Sequence, residues 1–144
     1  MAVSVFRYKI DSVNSSNAFP RRTATLRPRM AVALASGSAI CTCFALVDSG
    51  ADGCLFPASY GMKLGLKVFT GRHYTFGGAG NTHLQDAYFF DIEIMVQNFA
   101  GYLIPVGFTT ALERPGIGLL GHNGFFDHFK VVFNFRKGIF TLTR

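Results

Sequence analysis

The chain has 144 residues, 49% of them hydrophobic, so it can bury one sizeable core and is too short for two ordinary domains. Its 14 Lys and Arg against 8 Asp and Glu give a net charge of +6, but the charges form neither a block nor an aromatic-and-basic stripe, so a nucleic-acid partner is not expected. Three cysteines argue against a disulfide scaffold, and without a CxxC or HExxH pattern neither a metal site nor another cofactor is predicted.

The N-terminal segment 1–22 is predicted to lie outside the core. Residues 1–10 alternate like a strand, and residues 11–22 are rich in Ser and Asn, a composition typical of a loop or connector. We therefore divide the chain into an N-terminal strand and mobile arm over 1–22 and a single core domain over 23–144.

The stretch 30–47 carries no charged residue, which raises the question of a membrane span or a late signal peptide. Ser36, Gly37, Ser38 and Thr42 interrupt its middle, so we predict two strands joined by a Gly-Ser turn and no membrane partner. A soluble, cytoplasmic protein is the expectation.

Most of the later elements are also predicted to be strands. The segments 67–76 and 81–90 flank a glycine-rich tip at 77–80, as in a hairpin. Residues 90–97 alternate apolar and polar side chains, the pattern of a strand with one buried face. Residues 130–144 are predicted to form a closing hairpin.

Helical signals are few. The stretch 58–65 is compatible with a short helical turn, and the only convincing helix is predicted at 122–129, near the C-terminus. The predicted fold class is therefore all-β with one short C-terminal helix.

One carboxylate stands at the end of the uncharged stretch. Val47 ends the predicted strand, and Asp48, Ser49, Gly50 and Ala51 follow as a tight turn, in which glycine permits dihedrals that other residues resist. The turn has two interpretations. Asp48 either caps a turn, or is a reactive carboxylate presented by a rigid apolar floor.

Two further motifs follow along the chain. Gly77 and Gly78 lie in the hairpin tip, where small residues would allow a peptide backbone to approach closely; a flexible loop tip is the alternative. Leu119, Leu120 and Gly121 then lead into the predicted helix, although alone they would also fit an ordinary core strand that ends at a glycine.

The order of these motifs resembles the retropepsin-like aspartic proteases, over roughly residues 23–144. In that family a catalytic Asp-Thr/Ser-Gly-Ala turn is followed by a flap hairpin that bears glycines, and then by two apolar residues and a Gly before a single helix. The resemblance implies one half of a closed acid-protease barrel, with one short C-terminal helix, that works as a homodimer. It also implies a peptide or protein substrate and no metal.

The resemblance implies a role for each site residue, with Asp48 as the catalytic one. Aspartic proteolysis uses two carboxyl groups that share one proton. The chain has one Asp-Ser-Gly turn, so a catalytic protein would need Asp48 of a second copy across a two-fold axis. In the family, the residue at the position of Ser49 ties the two turns together. The residue at the position of Gly50 offers a carbonyl to the substrate, and the one at the position of Asp52 binds the peptide backbone. The flap glycines contact the same extended peptide.

The chain departs from the family pattern at two positions. Ser49 replaces the more common Thr, and His122 stands where an Arg often pairs with the acid that Asp52 matches, so we expect a weaker, pH-dependent tie between His122 and Asp52. Two alternative functions stay open. One is a retropepsin-like module that binds peptides or dimerises without turnover, and the other is a nucleic-acid-associated protein of a mobile element, which the net charge of +6 suggests.

Overall fold

The computed structural model describes residues 2–80 and 83–144. Its one α-helix within that part is α1 (Ala58–Lys63), and short 3-10 turns cover Val68–Thr70, Thr110–Leu112 and Phe135–Lys137. The strands of the described residues are β1 (Val3–Arg7), β2 (Lys9–Ser12), β3 (Ala24–Arg27), β4 (Arg29–Ser36), β5 (Ala39–Val47), β6 (Cys54–Pro57), β7 (Arg72–Phe76), β8 (Gln85–Val96), β9 (Tyr102–Thr109), β10 (Gly118–Leu120), β11 (Lys130–Asn134) and β12 (Ile139–Thr143).

Six strands close into a barrel. They pair in the order β4-β5-β10-β6-β9-β8, and β8 also pairs with β4, so the sheet returns to its first strand; β7 extends it beyond β8. A sheet that closes on itself leaves no long unpaired edge. The all-β fold class is therefore confirmed.

Alternation along the strands places the core inside this barrel. In β8 the side chains of Ile92, Ile94 and Val96 are buried, while Asp91 before them and Glu93 between the first two are exposed. Successive side chains of a strand point to opposite faces, so apolar residues at every second position face inward. The predicted half-buried strand at 90–97 is confirmed over the residues that β8 covers.

The uncharged stretch forms the two strands that were predicted for it. β4 and β5 pair antiparallel around a turn at Gly37, whose φ of +58° is one that glycine adopts without a steric penalty. No helix among the described residues is long and apolar enough to cross a membrane.

The predicted C-terminal helix is wrong in its position. Residues 122–129 form hydrogen-bonded turns, and the one short helix lies earlier, at α1, where the sequence was compatible with a helical turn. Gly124 has a φ of +104°, which no right-handed helix contains, and its N–H donates to Oδ1 of Asp127 at 3.0 Å. That bond pairs an N–H that the first turn of a helix leaves without a backbone partner, so it is the positive φ of Gly124 that keeps a helix from running through 122–129.

The two ends of the chain meet in a second sheet. β12 lies between β1 and β11 and pairs antiparallel with both, and the predicted closing hairpin at 130–144 is confirmed as β11 and β12. A separate ribbon joins β2 to β3. The boundary between segment 1–22 and the core domain 23–144 stays a prediction.

Candidate active site

The end of β5 places Asp48 beside the end of β10. These two strands are parallel, with Val47 opposite Leu120, and the N–H of Asp48 continues the pairing by donating to the Leu120 carbonyl at 3.0 Å. Asp48 is half-buried, whereas Val47 before it in the chain and Leu120 on the neighbouring strand are buried. A rigid apolar floor therefore carries a carboxyl group that still reaches a cleft.

The turn that follows Asp48 is closed by hydrogen bonds within itself. The N–H of Gly50 donates to Oδ1 of Asp48 at 2.9 Å, and the N–H of Ala51 donates to the Asp48 carbonyl at 3.2 Å. A Cβ atom on Gly50 would lie 3.3 Å from the same Oδ1, so a larger residue would crowd the carboxylate. The turn fixes one oxygen of Asp48 by its own backbone.

Gly121 allows the next segment to pack against this turn. A Cβ atom at Gly121 would lie 2.3 Å from the carbonyl oxygen of Gly53 and 2.5 Å from that of Ala51, distances that real Cβ atoms essentially never show. Because the backbones approach so closely, the N–H groups of His122 and Asn123 each donate to the turn at 2.9 Å, to the carbonyls of Ala51 and Asp52 respectively.

One carbonyl of the turn differs from its neighbours. The carbonyls of Asp48, Ala51 and Asp52 accept backbone N–H groups, and that of Ser49 accepts from a side chain. The Gly50 carbonyl accepts no hydrogen bond within the described part of the chain. Gly50 is exposed, so its carbonyl can bond with water or with a ligand.

The His122 ring has a different partner from the predicted one. Its Nε2 lies 2.5 Å from the carbonyl oxygen of Ser49, and the described residues contain no ion pair between His122 and Asp52. The expected side-chain tie between these two residues is therefore not what the structure has. An N–H on Nε2 can donate to this carbonyl, so the contact needs no carboxylate partner.

The turn and the tip of the β7–β8 hairpin line one cleft. It has a volume of about 220 Å³, and its walls include Asp48 and Gly50 from the turn and Gly77 and Gly78 from the hairpin. The cleft also contains Ala51, Asp52 and Leu119. Of the residues predicted for the site, Leu120 and Gly121 lie behind it as support, and Asn81 and Thr82 of the predicted hairpin lie outside the described residues.

Apolar side chains that the sequence did not single out form the rest of the cleft. They are Leu55, Tyr74, Phe76 and Phe89. Tyr74 and Phe89 meet edge to face, with ring centroids 6.0 Å apart, and both also line an adjoining cavity of about 360 Å³. The sequence could have indicated two of these residues, because Tyr74 and Phe76 are two positions apart in a predicted strand and therefore share one of its faces.

The thiol nearest this site is unreactive. Cys54 is fully buried, and its Sγ lies 3.5 Å from the Asn123 carbonyl oxygen. Burial raises the pKa of Cys54 to about 12, so the neutral thiol persists at physiological pH and is not a nucleophile. The described residues also contain no group of three or more His, Cys, Asp or Glu side chains that could hold a metal ion.

Comparisons with known proteins agree with the architecture. No protein-family model matches the chain, and no curated protein sequence matches it. Among solved structures, it is similar to the crystal structure of a retropepsin-like aspartic protease from Rickettsia conorii, with a TM-score of 0.59 and 15% identity over 98% of this chain and 92% of that one. At this identity the likeness shows the fold, and the activity has to be argued from the site.

Proposed function

We propose that the chain is an aspartic endopeptidase that acts as a homodimer, with Asp48 of each copy contributing to one active site. The observation that carries the proposal is the cleft that the Asp48 turn shares with the glycine-bearing hairpin tip, within a retropepsin-like barrel. A half-buried carboxylate at one wall and small residues at the other leave room for an extended peptide between them.

Two carboxyl groups supply the chemistry in this proposal. Placed within hydrogen-bond reach on a two-fold axis, they share one proton, because ionising both at once is costly. The ionised carboxylate removes a proton from water as the water oxygen bonds to the scissile carbonyl carbon, and the protonated one donates to the carbonyl oxygen. When the intermediate collapses, the carboxyl group that took the water proton gives it to the amine nitrogen and the C–N bond breaks. The other carboxylate takes a hydroxyl proton from the intermediate, so the pair again holds one proton.

The rest of the turn supports substrate and dimer in the proposed enzyme. The Gly50 carbonyl, which has no donor within the described residues, accepts an N–H of the bound peptide. Ser49 is exposed and ties the two turns together across the axis. Asp52, also exposed, binds the peptide backbone, and the β7–β8 hairpin closes over the peptide as a flap through Gly77 and Gly78.

The cleft walls favour apolar substrate side chains. Leu55, Tyr74, Phe76 and Phe89 provide aliphatic and aromatic surface beside Asp48. Such walls bind apolar groups by removing their surface from water, at about 25 cal/mol per Å². We therefore propose that the residues flanking the scissile bond are apolar.

An Asp48→Asn substitution tests the function. It keeps the side-chain shape but removes the ionisable group, so cleavage of a mixed peptide library between pH 4 and 7 should vanish while the fold persists. The matched control is Asp91→Asn, which changes an exposed carboxylate that pairs with Arg72 at 2.9 Å, and which should cleave like the wild type. A peptide mimic with a hydroxyl at the scissile position should block wild-type cleavage.

The same experiment separates the alternative function. If the wild type binds library peptides but releases none of them cleaved, the chain is a binding or dimerisation module with a protease fold. If Asp48→Asn and the wild type cleave equally, another group performs the reaction and the assignment of Asp48 is wrong.

A further inference from the structure

We propose that His122 is a positioning residue, which orients the Ser49–Gly50 peptide unit and, through it, the carboxylate of Asp48. The effect on turnover that we infer rests on the proposed protease function. The positioning of the turn by His122 does not depend on that function.

His122 holds the turn at two points. Its ring Nε2 donates to the Ser49 carbonyl at 2.5 Å, since a carbonyl oxygen can only accept, and its backbone N–H donates to the Ala51 carbonyl at 2.9 Å. Both bonds connect the segment after β10 to the turn after β5. Although the residue is exposed, its ring is therefore held in one orientation.

The side-chain bond acts on the group that contacts Asp48. The Ser49 carbonyl and the Gly50 N–H belong to one planar peptide unit. That N–H donates to Oδ1 of Asp48 at 2.9 Å. A rotation of the plane that pulled the N–H away from the carboxylate would also break the bond from His122.

The bond also strengthens the donor. A hydrogen bond to the carbonyl of an amide polarises it and makes its N–H a better donor, by about 10–30% per bond in a chain. The ring of His122, the Ser49–Gly50 peptide and the Asp48 carboxylate form such a chain. Removing the His122 ring therefore weakens the hydrogen bond that the Gly50 N–H donates to Asp48.

The His122 ring is supported by an aromatic neighbour. It meets the Phe126 ring edge to face, with centroids 5.9 Å apart, and the Phe126 N–H donates to the Gly121 carbonyl at 3.1 Å. The titratable groups of the adjoining elements are Asp48 and Asp52 of the turn and Asp127 and His128 of the segment that follows. The inference needs only a hydrogen on Nε2 that points at the Ser49 carbonyl, and it rests on the geometry of the contact.

The expected kinetic effect is on turnover. The Gly50 N–H holds one oxygen of the Asp48 carboxylate in place, so losing the bond from His122 leaves the reacting group less well positioned. The loss of one hydrogen bond of ordinary strength corresponds to about a 3- to 10-fold lower kcat. KM should stay near the wild-type value, because His122 does not line the cleft.

Two substitutions separate the hydrogen bond from the ring packing. His122→Phe keeps an aromatic ring against Phe126 but has no donor, whereas His122→Gln keeps an N–H at a similar reach but has no ring. We expect the first to lower kcat about 3- to 10-fold with little change in KM, and the second to stay within about 2-fold of the wild type. His128→Gln is the matched control, since it removes another imidazole, one whose contacts are with Tyr102 and Asp127.

Amide hydrogen exchange at Gly50 provides a readout that does not depend on catalysis. In His122→Phe the Gly50 amide should exchange about 3- to 10-fold faster than in the wild type, and in His122→Gln at nearly the wild-type rate. Equal rates in all three proteins, or a faster rate in His122→Gln alone, would overturn the inference. If the wild type cleaves no peptide, the proposed protease function fails, and the exchange rates still decide whether His122 positions the turn.

Discussion

Replacing Gly121 with Ala should separate the Asp48 turn from the segment that supports it. The added Cβ would lie 2.3 Å from the Gly53 carbonyl oxygen and 2.5 Å from that of Ala51, against an ordinary contact of 3.4 Å or more, so the backbones must part by about 1 Å. Both atoms belong to backbone, which cannot move aside as the end of a flexible side chain can.

The cost follows from what that separation breaks. Two backbone hydrogen bonds of 2.9 Å, from the N–H groups of His122 and Asn123, are worth about 1 kcal/mol each, and overpacking adds about 1–3 kcal/mol. The lower entropy of the unfolded alanine chain offsets at most about 1 kcal/mol. We therefore expect Gly121→Ala to lower the free energy of unfolding by roughly 2–5 kcal/mol.

Urea unfolding followed by circular dichroism, at one protein concentration, measures this loss. The matched control is Gly53→Ala, which stands across the same contact but whose Cβ would meet only the Phe89 ring, at 4.0 Å. It should stay within about 0.5 kcal/mol of the wild type. A Gly121→Ala protein as stable as the control would refute the close packing of the two segments.

Two further predictions concern stability. Burial raises the pKa of the Cys43 and Cys54 thiols from 9.0 to about 12; because the folded pKa lies above the unfolded one, their stabilisation is fully present below pH 9 and is lost as the pH rises toward 12. The urea concentration at the unfolding midpoint, measured in reductant, should therefore fall between pH 9 and 11. The fall should be less steep in Cys54→Ala than in the wild type, and identical slopes in the two proteins would contradict this. The Glu113 carboxylate accepts hydrogen bonds from the N–H and the hydroxyl of Ser59 at 2.6 and 2.8 Å. Glu113→Ala should therefore lower the free energy of unfolding by about 1 kcal/mol. Combined with Ser59→Ala, it should lower that free energy by less than the sum of the two single changes.

The parts of the fold that depend on local pattern could be predicted from the sequence. The two strands around Gly37, the half-buried strand at 90–97 and the closing hairpin are confirmed, because alternation and turn residues act within a few positions of each other. The helix was misplaced for a local reason too. The segment 122–129 was predicted to be helical, but the positive φ of Gly124 interrupts a right-handed helix there.

Contacts between distant segments could be predicted only where a family pattern linked them. The motifs at 48–51 and 119–121 are parts of one family pattern, and the structure brings them into contact. The bond between His122 and the Ser49 carbonyl was missed, because every residue has a carbonyl and the sequence carries no sign of which one a histidine reaches. The pairing of β1 with β12 was missed for a related reason, since many strands in an all-β chain fit the same partner.

The central claim is that two copies of Asp48 form one active site, and mixing experiments test it most directly. Wild-type protein at a fixed concentration is equilibrated with increasing amounts of Asp48→Asn protein, and the cleavage rate of a peptide substrate is measured. Subunit exchange then yields mixed dimers with a single ionisable carboxyl group at the site, so the rate should fall toward zero as the variant comes into excess. A rate that stays constant while mixed dimers form would show that each chain cleaves by itself, and would contradict the shared site.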